Sequence, residues 1–473
     1  MVDAYIFRKE ELKLNPYIFR KNDIRGIYER DFSADDCVSI GRAYGTWMLE
    51  HGKNSVALGM DNRLSSPAIA AAALDGLLST GIKVVDIGLT TTPTSYLAPI
   101  LIGVGGSMMI TASHLPAEWN GFKLSYEDRT IFGDEIHAVR KIIERQSYRE
   151  GKGTLEKANI DDLHRNFLRE KIDKFEEVLG GQKRRNIKVV VDSSNGVAGG
   201  FAPGLLRTLG CEVIELHSRS DGTFPNHGPD PTVGPNLLEL TNAVKREKAD
   251  LGMIFDVDVD RVNICDERGF ALWGDGILMF FARDILTRDP RLEILYNTQC
   301  SPAVEEDIVV HRGIPVMVPT GHSLVLNELR FYEGAFAGEY KCHFYFYDHY
   351  CGFDDALYAA MRFIKILERR EIPLSQIMTD VPFYRSSGEI EIPIPDERKY
   401  VVEEKVKNSL RERYFVNEMD GARVKFRGMP DTWGLVRASG TFPKLEIFAW
   451  AKGEENMIKA KEILLEEVQK FNR

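Results

Sequence analysis

Thr111-Ala112-Ser113-His114-Leu115-Pro116-Ala117-Glu118-Trp119-Asn120-Gly121-Phe122-Lys123 decides how this chain is read. A hydroxyl sits beside an imidazole, followed by a Pro-marked turn, an Asn-Gly pair and a lysine. The preceding Gly105-Gly106-Ser107-Met108-Met109-Ile110 is an apolar strand candidate. Ser113 is therefore expected where a buried strand breaks into a loop, at the carboxyl end where open α/β sheets hold ligands. Taken alone, a Ser-His pair is more often a polar turn than a nucleophile. No G-x-S-x-G turn surrounds it, so the pair does not read as a hydrolase.

The rest of the chain sets bounds on that reading. Its 473 residues suffice for several domains. With 44% hydrophobic and 28% charged residues it has the profile of a globular protein. The formal charge is 61 minus 71, or −10, which argues against a nucleic-acid or membrane-surface role driven by bulk charge. A local cluster of Arg and Lys can still hold phosphate. The six cysteines follow no framework spacing, as expected of reduced thiols and a cytoplasmic protein. Residues 1–11 carry charges where a signal peptide needs an apolar core. No apolar run reaches transmembrane length.

Three short strand-like runs end in Asp or Asn: Val56 to Asp61, Ile187 to Asp192 and Leu292 to Asn297. Helical stretches follow each, a weak repeat of α/β units with buried, near-continuously apolar strands. In the first unit, Ser65-Ser66-Pro67 reads as a helix N-cap with Pro in the first turn. Gly88 to Thr94 reads as a loop. Beyond Pro382 the pattern changes to α+β. Strands are expected at Glu389 to Ile394, Ala422 to Phe426, Gly434 to Arg437 and Leu445 to Ala451, with Pro393 marking an edge. Helices are expected at Glu397 to Arg413 and Glu454 to Phe471.

Asp256-Val257-Asp258-Val259-Asp260-Arg261 is the second strong signal. Carboxylates at i, i+2 and i+4 lie on one side of an extended backbone, and three like charges that close call for a cation. All-oxygen ligands suit Mg²⁺. The competing reading is a half-buried strand with Val inward and Asp outward. Because the cluster interrupts an apolar stretch, the metal loop is preferred. Arg437-Ala438-Ser439-Gly440-Thr441-Phe442-Pro443-Lys444 offers a forked guanidinium, two hydroxyls and a Gly through which backbone N–H groups approach an anion. Cys342, His343, His349 and Cys351 form a cluster whose spacing is not that of a usual zinc site.

Together these stretches resemble the α-D-phosphohexomutases, the phosphomannomutase/phosphoglucomutase family, from about Asn15 to about Trp450. The 111–123 stretch is similar to the family's active-serine loop, T-A-S-H-x-P-x-x-x-N-G-x-K. Asp256 to Arg261 resembles its D-G-D-x-D-R metal loop, and Asp23-Ile24-Arg25-Gly26 its D-I-R-G segment. Asp221 to Pro231 resembles its D-G-x-F-P-N-H-x-P-D-P connection, and on its own reads as a stretch that packs against a domain and touches no ligand. Thr320-Gly321-His322-Ser323 matches T-G-H-S, Gly338 to His343 resembles the G-E-x-S-G-H sugar loop, and Arg437 to Pro443 the R-x-S-G-T-x-P phosphate loop.

The resemblance implies three similar mixed-sheet α/β domains (1–155, 156–267 and 268–382) and a smaller C-terminal α+β domain (383–473) around a central cleft. It implies an enzyme interconverting 1-phospho and 6-phospho hexoses, mannose or glucose, through a phosphoserine and a bisphosphorylated sugar. Mg²⁺ would be held by Ser113, Asp256, Asp258 and Asp260, and a hexose 1,6-bisphosphate would serve as activator. Ser113, His114, Lys123, Arg25, Arg261 and His322 would be catalytic. Thr320, Gly321, Glu339, Lys341, His343, Arg437, Ser439, Gly440 and Thr441 would bind substrate. A hexose phosphate is the expected partner, with neither nucleic acid nor membrane, for a monomer or dimer.

The chain departs from the pattern at Asn22, Leu115, Val257, Gln299, Pro319, Leu326, Lys341 and Cys342. Those departures keep open a divergent paralogue, with altered sugar specificity or binding without turnover. Lysine in place of the sugar-loop serine is longer, charged and only a donor. Val257 in place of Gly is expected to strain the loop if a left-handed angle is needed there.

Overall fold

The computed structural model describes residues 14–472; the reading of residues 1–11 lies outside them. Three sheets are built on one plan. In the first, strands Ser55–Met60, Lys83–Leu89 and Ser107–Ile110 are parallel, with the earliest in the middle. Trp119–Tyr126 returns antiparallel beside the third. In the second, Glu212–Leu216, Lys188–Asp192 and Leu251–Phe255 are parallel and Val262–Asp266 returns antiparallel. In the third, Ile314–Val318, Glu293–Asn297 and Phe336–Gly338 are parallel and Phe344–Phe346 returns. The weak repeat of the sequence is thus a threefold repeat of topology. Its consequence is direct: the loops bearing Ser113, the aspartates 256–260 and Glu339 to His343 occupy the same hairpin position, between third and fourth strands.

The fourth sheet is antiparallel. Thr432–Ala438 and Lys444–Ala451 pair at its centre, with Ala422–Lys425 and Phe415–Asn417 on one side. Arg385–Ser386 and Ile390–Pro393 both pair with Lys444–Ala451, which puts Pro393 at an edge, where its missing N–H costs nothing. Helices Asp396–Arg411 and Glu454–Phe471 pack on it through Val402, Val406, Leu410, Ala460, Leu464 and Val468. The phosphate-loop motif is once more a strand-to-strand turn.

One apolar core runs through the second and third units and takes in Tyr96 and Leu97 of the first and Leu435, Phe448 and Trp450 of the fourth. The first unit has a core of its own. Two local expectations change. Ser65 has helical angles (φ −83°, ψ −17°) and caps nothing, while the Ser66 hydroxyl donates to Asp61 Oδ1 at 2.5 Å. The carboxylate at the strand end outcompetes the helix end for that hydroxyl. The expected loop at 88–94 gives way to the helix Thr92–Ile102, because the Thr91 hydroxyl accepts from Thr94 N at 3.1 Å and Pro93 sits in the first turn.

Candidate active site

The Ser113 hydroxyl donates to Asp256 Oδ2 at 2.7 Å, across 143 residues of sequence. Ser113 itself sits in the left-handed region (φ 52°), and Arg63 holds it there. Arg63 is fully buried and spends both terminal nitrogens on main-chain carbonyls. They reach Ser113 O at 2.6 Å, Leu115 O at 2.7 Å, Pro116 O at 2.6 Å and Trp119 O at 3.1 Å. Its Nε donates to Asp61 Oδ2 at 3.1 Å. A planar five-donor fork is the one side chain that can tie four carbonyls into a fixed loop. Reading the sequence missed Arg63 and Asp61; the available signal was a carboxylate and a guanidinium directly after an apolar strand.

The aspartates are neither on an extended strand nor alternating with outward side chains. Residues 256–261 form a turn, and Asp256, Asp258, Asp260, Val257 and Val259 are all buried. One oxygen from each aspartate lies within 4.8 Å of the others. Val257 is not in the left-handed region; the strain falls on Val259 at φ 68°, where a β-branched residue is unusual. Replacing the family's glycine at 257 therefore costs no left-handed angle. At 342, where cysteine replaces glycine, it does: Cys342 has φ 65°.

Lys123 is buried against the triplet, donating to Asp258 Oδ2 at 2.8 Å and also to Asp260. Burial works against its charge, but Asp258 and Asp260 hold the ammonium well above the ordinary lysine range. Burial, then repulsion from Asp260 and Asp258, pushes the Asp256 carboxyl well above its usual range. Asp260 is held below it, burial notwithstanding, by Lys123 and Arg261. Asp258 Oδ1 and Asp260 Oδ1 are buried and accept no hydrogen bond. Hard oxygens, close together, with orphaned lone pairs fit a divalent cation of the Mg²⁺ type. Thr92, at the N-terminus of its helix, donates its main-chain N–H to Asp258 O at 2.9 Å and its hydroxyl to the Asp258 carboxylate.

A cavity of about 990 Å³ opens beside this centre. All four units line it: Arg25 and His114; Asp230 and Arg261; Thr320, Gly321, His322, Glu339, Lys341 and His343; Arg437, Ser439, Gly440 and Thr441. The 221–231 connection packs on residues 62–64, as its composition suggests, yet Thr223, Phe224 and Asp230 also form cavity wall. Ser113, Lys123 and the aspartates are buried beside it and reach it through His114 and Arg261. His114 Nδ1 is 3.3 Å from Ser113 Oγ, and Arg261 Nε is 3.8 Å from Asp256 Oδ2.

Several cavity histidines are held neutral. Burial, then Lys123, brings His322 down to about 3, Asp260 opposing. Burial, then Arg261, lowers His114 and His343 well below the ordinary range. His343 Nδ1 stands 2.9 Å from Asp354 Oδ2, whose carboxyl is pushed up by burial and by Asp260, so that pair is neutral on both sides. Glu339 is fixed by Tyr345 Oη at 2.6 Å and Asn297 Nδ2 at 3.0 Å. Gly321 has φ +135°, and a Cβ there would lie 2.5 Å from Asn22 Nδ2, so Asn22 and Gly321 are matched in shape.

The cations of the 437–444 turn, Arg437 and Lys444, both have carboxylate partners. Arg437 donates to Asp420 at 3.0 Å and Glu446 at 2.5 Å. Gln299, standing where a lysine is common, also donates to Glu446, at 2.8 Å. Lys341 pairs with Glu389, which also binds Lys444 at 3.1 Å. Beneath the loop, Lys399 Nζ donates to Ser439 O at 2.6 Å and Phe442 O at 3.1 Å. Leu326, also at a lysine position, is a core residue. Cys342, His343, His349 and Cys351 do not converge as a metal group among the described residues.

Three consecutive domain models of the phosphoglucomutase/phosphomannomutase family match the chain: α/β/α domain I at residues 16–150, domain II at 169–269 and domain III at 273–384. The chain belongs to this family, the α-D-phosphohexomutase superfamily. It is accordingly a mutase, an isomerase by reaction class. It is similar to the phosphomannomutase/phosphoglucomutase of Pseudomonas aeruginosa, 36% identical over 447 residues that cover 94% of each chain. A phosphoglucomutase of Neisseria gonorrhoeae is 34% identical over 90% of this chain and 91% of its own length. A crystal structure of a phosphoglucomutase/phosphomannomutase family protein from Burkholderia thailandensis superposes with a TM-score of 0.86 at 33% identity, covering 97% of this chain and 98% of that one. Among the described residues no helix is long and apolar enough to cross a membrane.

Proposed function

We propose that the chain interconverts 1-phospho and 6-phospho hexoses, mannose or glucose, in the cytoplasm, by passing a phosphoryl group to and from Ser113. One observation carries this reading: the Ser113 hydroxyl, hydrogen-bonded at 2.7 Å to the buried aspartate triplet, adjoins a cavity that Arg437, Ser439, Gly440 and Thr441 also line. Asp256, Asp258, Asp260 and a phosphorylated Ser113 would hold Mg²⁺, which would offset charge on the transferring group.

In the forward step the bond from phosphorus to Ser113 Oγ breaks as one forms to a free sugar hydroxyl. The proton of that hydroxyl passes to a cavity base, and His322 presents a buried, unpartnered Nε2 for it. Lys123, protonated, cannot accept that proton; it holds Asp258 and Asp260 in place. Arg261 lies over the triplet, and Arg437, Ser439, Gly440 and Thr441 grip the phosphate that is not reacting. The bisphosphate then turns end for end and returns the other phosphoryl group to the serine. Thr320, Gly321, Glu339, Lys341 and His343 read the sugar, and Arg25 faces the cavity from the first unit.

Intact mass and peptide mapping should find phosphate on the peptide bearing Ser113. A coupled assay with glucose 1-phosphate and mannose 1-phosphate, primed with hexose 1,6-bisphosphate, should show turnover. Chelation of divalent cations should reduce that turnover at least ~10²-fold, with Mg²⁺ restoring it. Tight binding of either sugar phosphate with no turnover after priming would instead identify a divergent, binding-only member.

A further inference from the structure

Away from the cavity's aspartate triplet, Asp192, His217 and His227 direct their polar atoms at one point. Asp192 ends the strand Lys188–Asp192, His217 follows the strand Glu212–Leu216, and His227 lies in the 221–231 connection. His227 Nε2 is 3.1 Å and His217 Nε2 4.0 Å from Asp192 Oδ2. Glu239, in the first turn of the helix Leu238–Glu247, places Oε2 3.1 Å from His217 Nε2.

We infer that Asp192, His217, His227 and Glu239 form a second metal site, for a borderline transition-metal ion such as Zn²⁺. Three arguments carry it. The first is distance: ligand bonds of about 2.0–2.1 Å in a tetrahedron put donor atoms about 3.3 Å apart, which the three separations bracket. The second is aim at His227. Its Nδ1 is 2.8 Å from Gly228 O, which turns Nε2 toward Asp192 Oδ2 at 3.1 Å, the placement of an imidazole and a carboxylate that share one ion. The third is the surrounding support. The Gly228 carbonyl orients the His227 ring, and Ser194 N donates to Asp192 Oδ1 at 2.9 Å, the kind of outer contact that fixes metal ligands.

The donor chemistry separates this site from the triplet. Two imidazoles and two carboxylates favour Zn²⁺ or Co²⁺ over Mg²⁺, and two neutral rings with two carboxylates balance a divalent charge. All four residues come from the second unit, and three of its strand ends and loops are involved. A bound ion would therefore clamp the 221–231 connection, whose Thr223, Phe224 and Asp230 form cavity wall.

The test is to titrate the chelator-stripped full chain with Co²⁺ in saturating Mg²⁺ while recording visible absorption. One equivalent should bind with the intense bands of four-coordinate cobalt, and Zn²⁺ should displace it. His217→Asn keeps a residue tolerant of φ 51° and should weaken Co²⁺ binding at least ~10-fold. Glu239→Gln, on an exposed side chain, should do the same if the first variant fails to fold. Asp256→Asn should leave the bands in place. Absence of bands in the unaltered chain, their survival in a folded His217→Asn or Glu239→Gln variant, or their loss in Asp256→Asn would each overturn the assignment.

Discussion

Ser113→Ala should lower turnover of glucose 1-phosphate or mannose 1-phosphate by ~10³-fold or more, with sugar-phosphate binding largely kept. The size follows from removing an atom that forms and breaks a bond in every cycle, not one that tunes a rate. The substitution is structurally mild. Alanine and serine face the same cost at φ 52°, and the loop is held through its carbonyls by Arg63, not through the hydroxyl. Steady-state assays after priming with hexose 1,6-bisphosphate, together with calorimetric binding of the substrate, measure both halves. Turnover within tenfold of the unaltered chain would remove Ser113 from the reaction and with it the proposed mechanism.

Arg63→Met should be the most damaging single change to the first unit. It strands the Asp61 carboxylate and leaves four loop carbonyls without donors in a buried setting. Breaking one side of a buried ion pair costs about 3–5 kcal/mol. Here this should be read as a lowered denaturation midpoint for the first unit and as loss of activity out of proportion to any change in substrate binding. Asp61→Asn combined with Arg63→Met should regain part of the stability, because no unpaired charge then remains, but not the activity. An Arg63→Met chain as stable as the parent would show that the serine loop holds its shape without the guanidinium.

Much of the fold was legible from local pattern. Apolar runs ending in Asp or Asn located the central strand of each repeated sheet, and the helix Glu454–Phe471 was legible to the residue. The misreadings are instructive because they are local too. The Thr/Pro stretch 88–94 reads as a loop, yet the Thr91 cap starts a helix within it at Thr92. The aspartates looked extended because alternation is the same whether side chains part on a strand or crowd within a turn.

Short motifs written contiguously in the chain singled out Ser113, the aspartates and the 437–444 turn, and it was their joint resemblance to a known family, not composition or spacing, that pointed to the family. Tertiary structure decided what those residues meet. It brought Ser113 to Asp256, set Lys123 against Asp258 and Asp260, gave Arg63 its organising role, and paired Lys341 with Glu389 and Gln299 with Glu446. These contacts join segments many tens of residues apart, and their sign and strength depend on burial and on which charges end up adjacent. Neither quantity exists until the three equivalent hairpin turns and the fourth sheet close around one cavity.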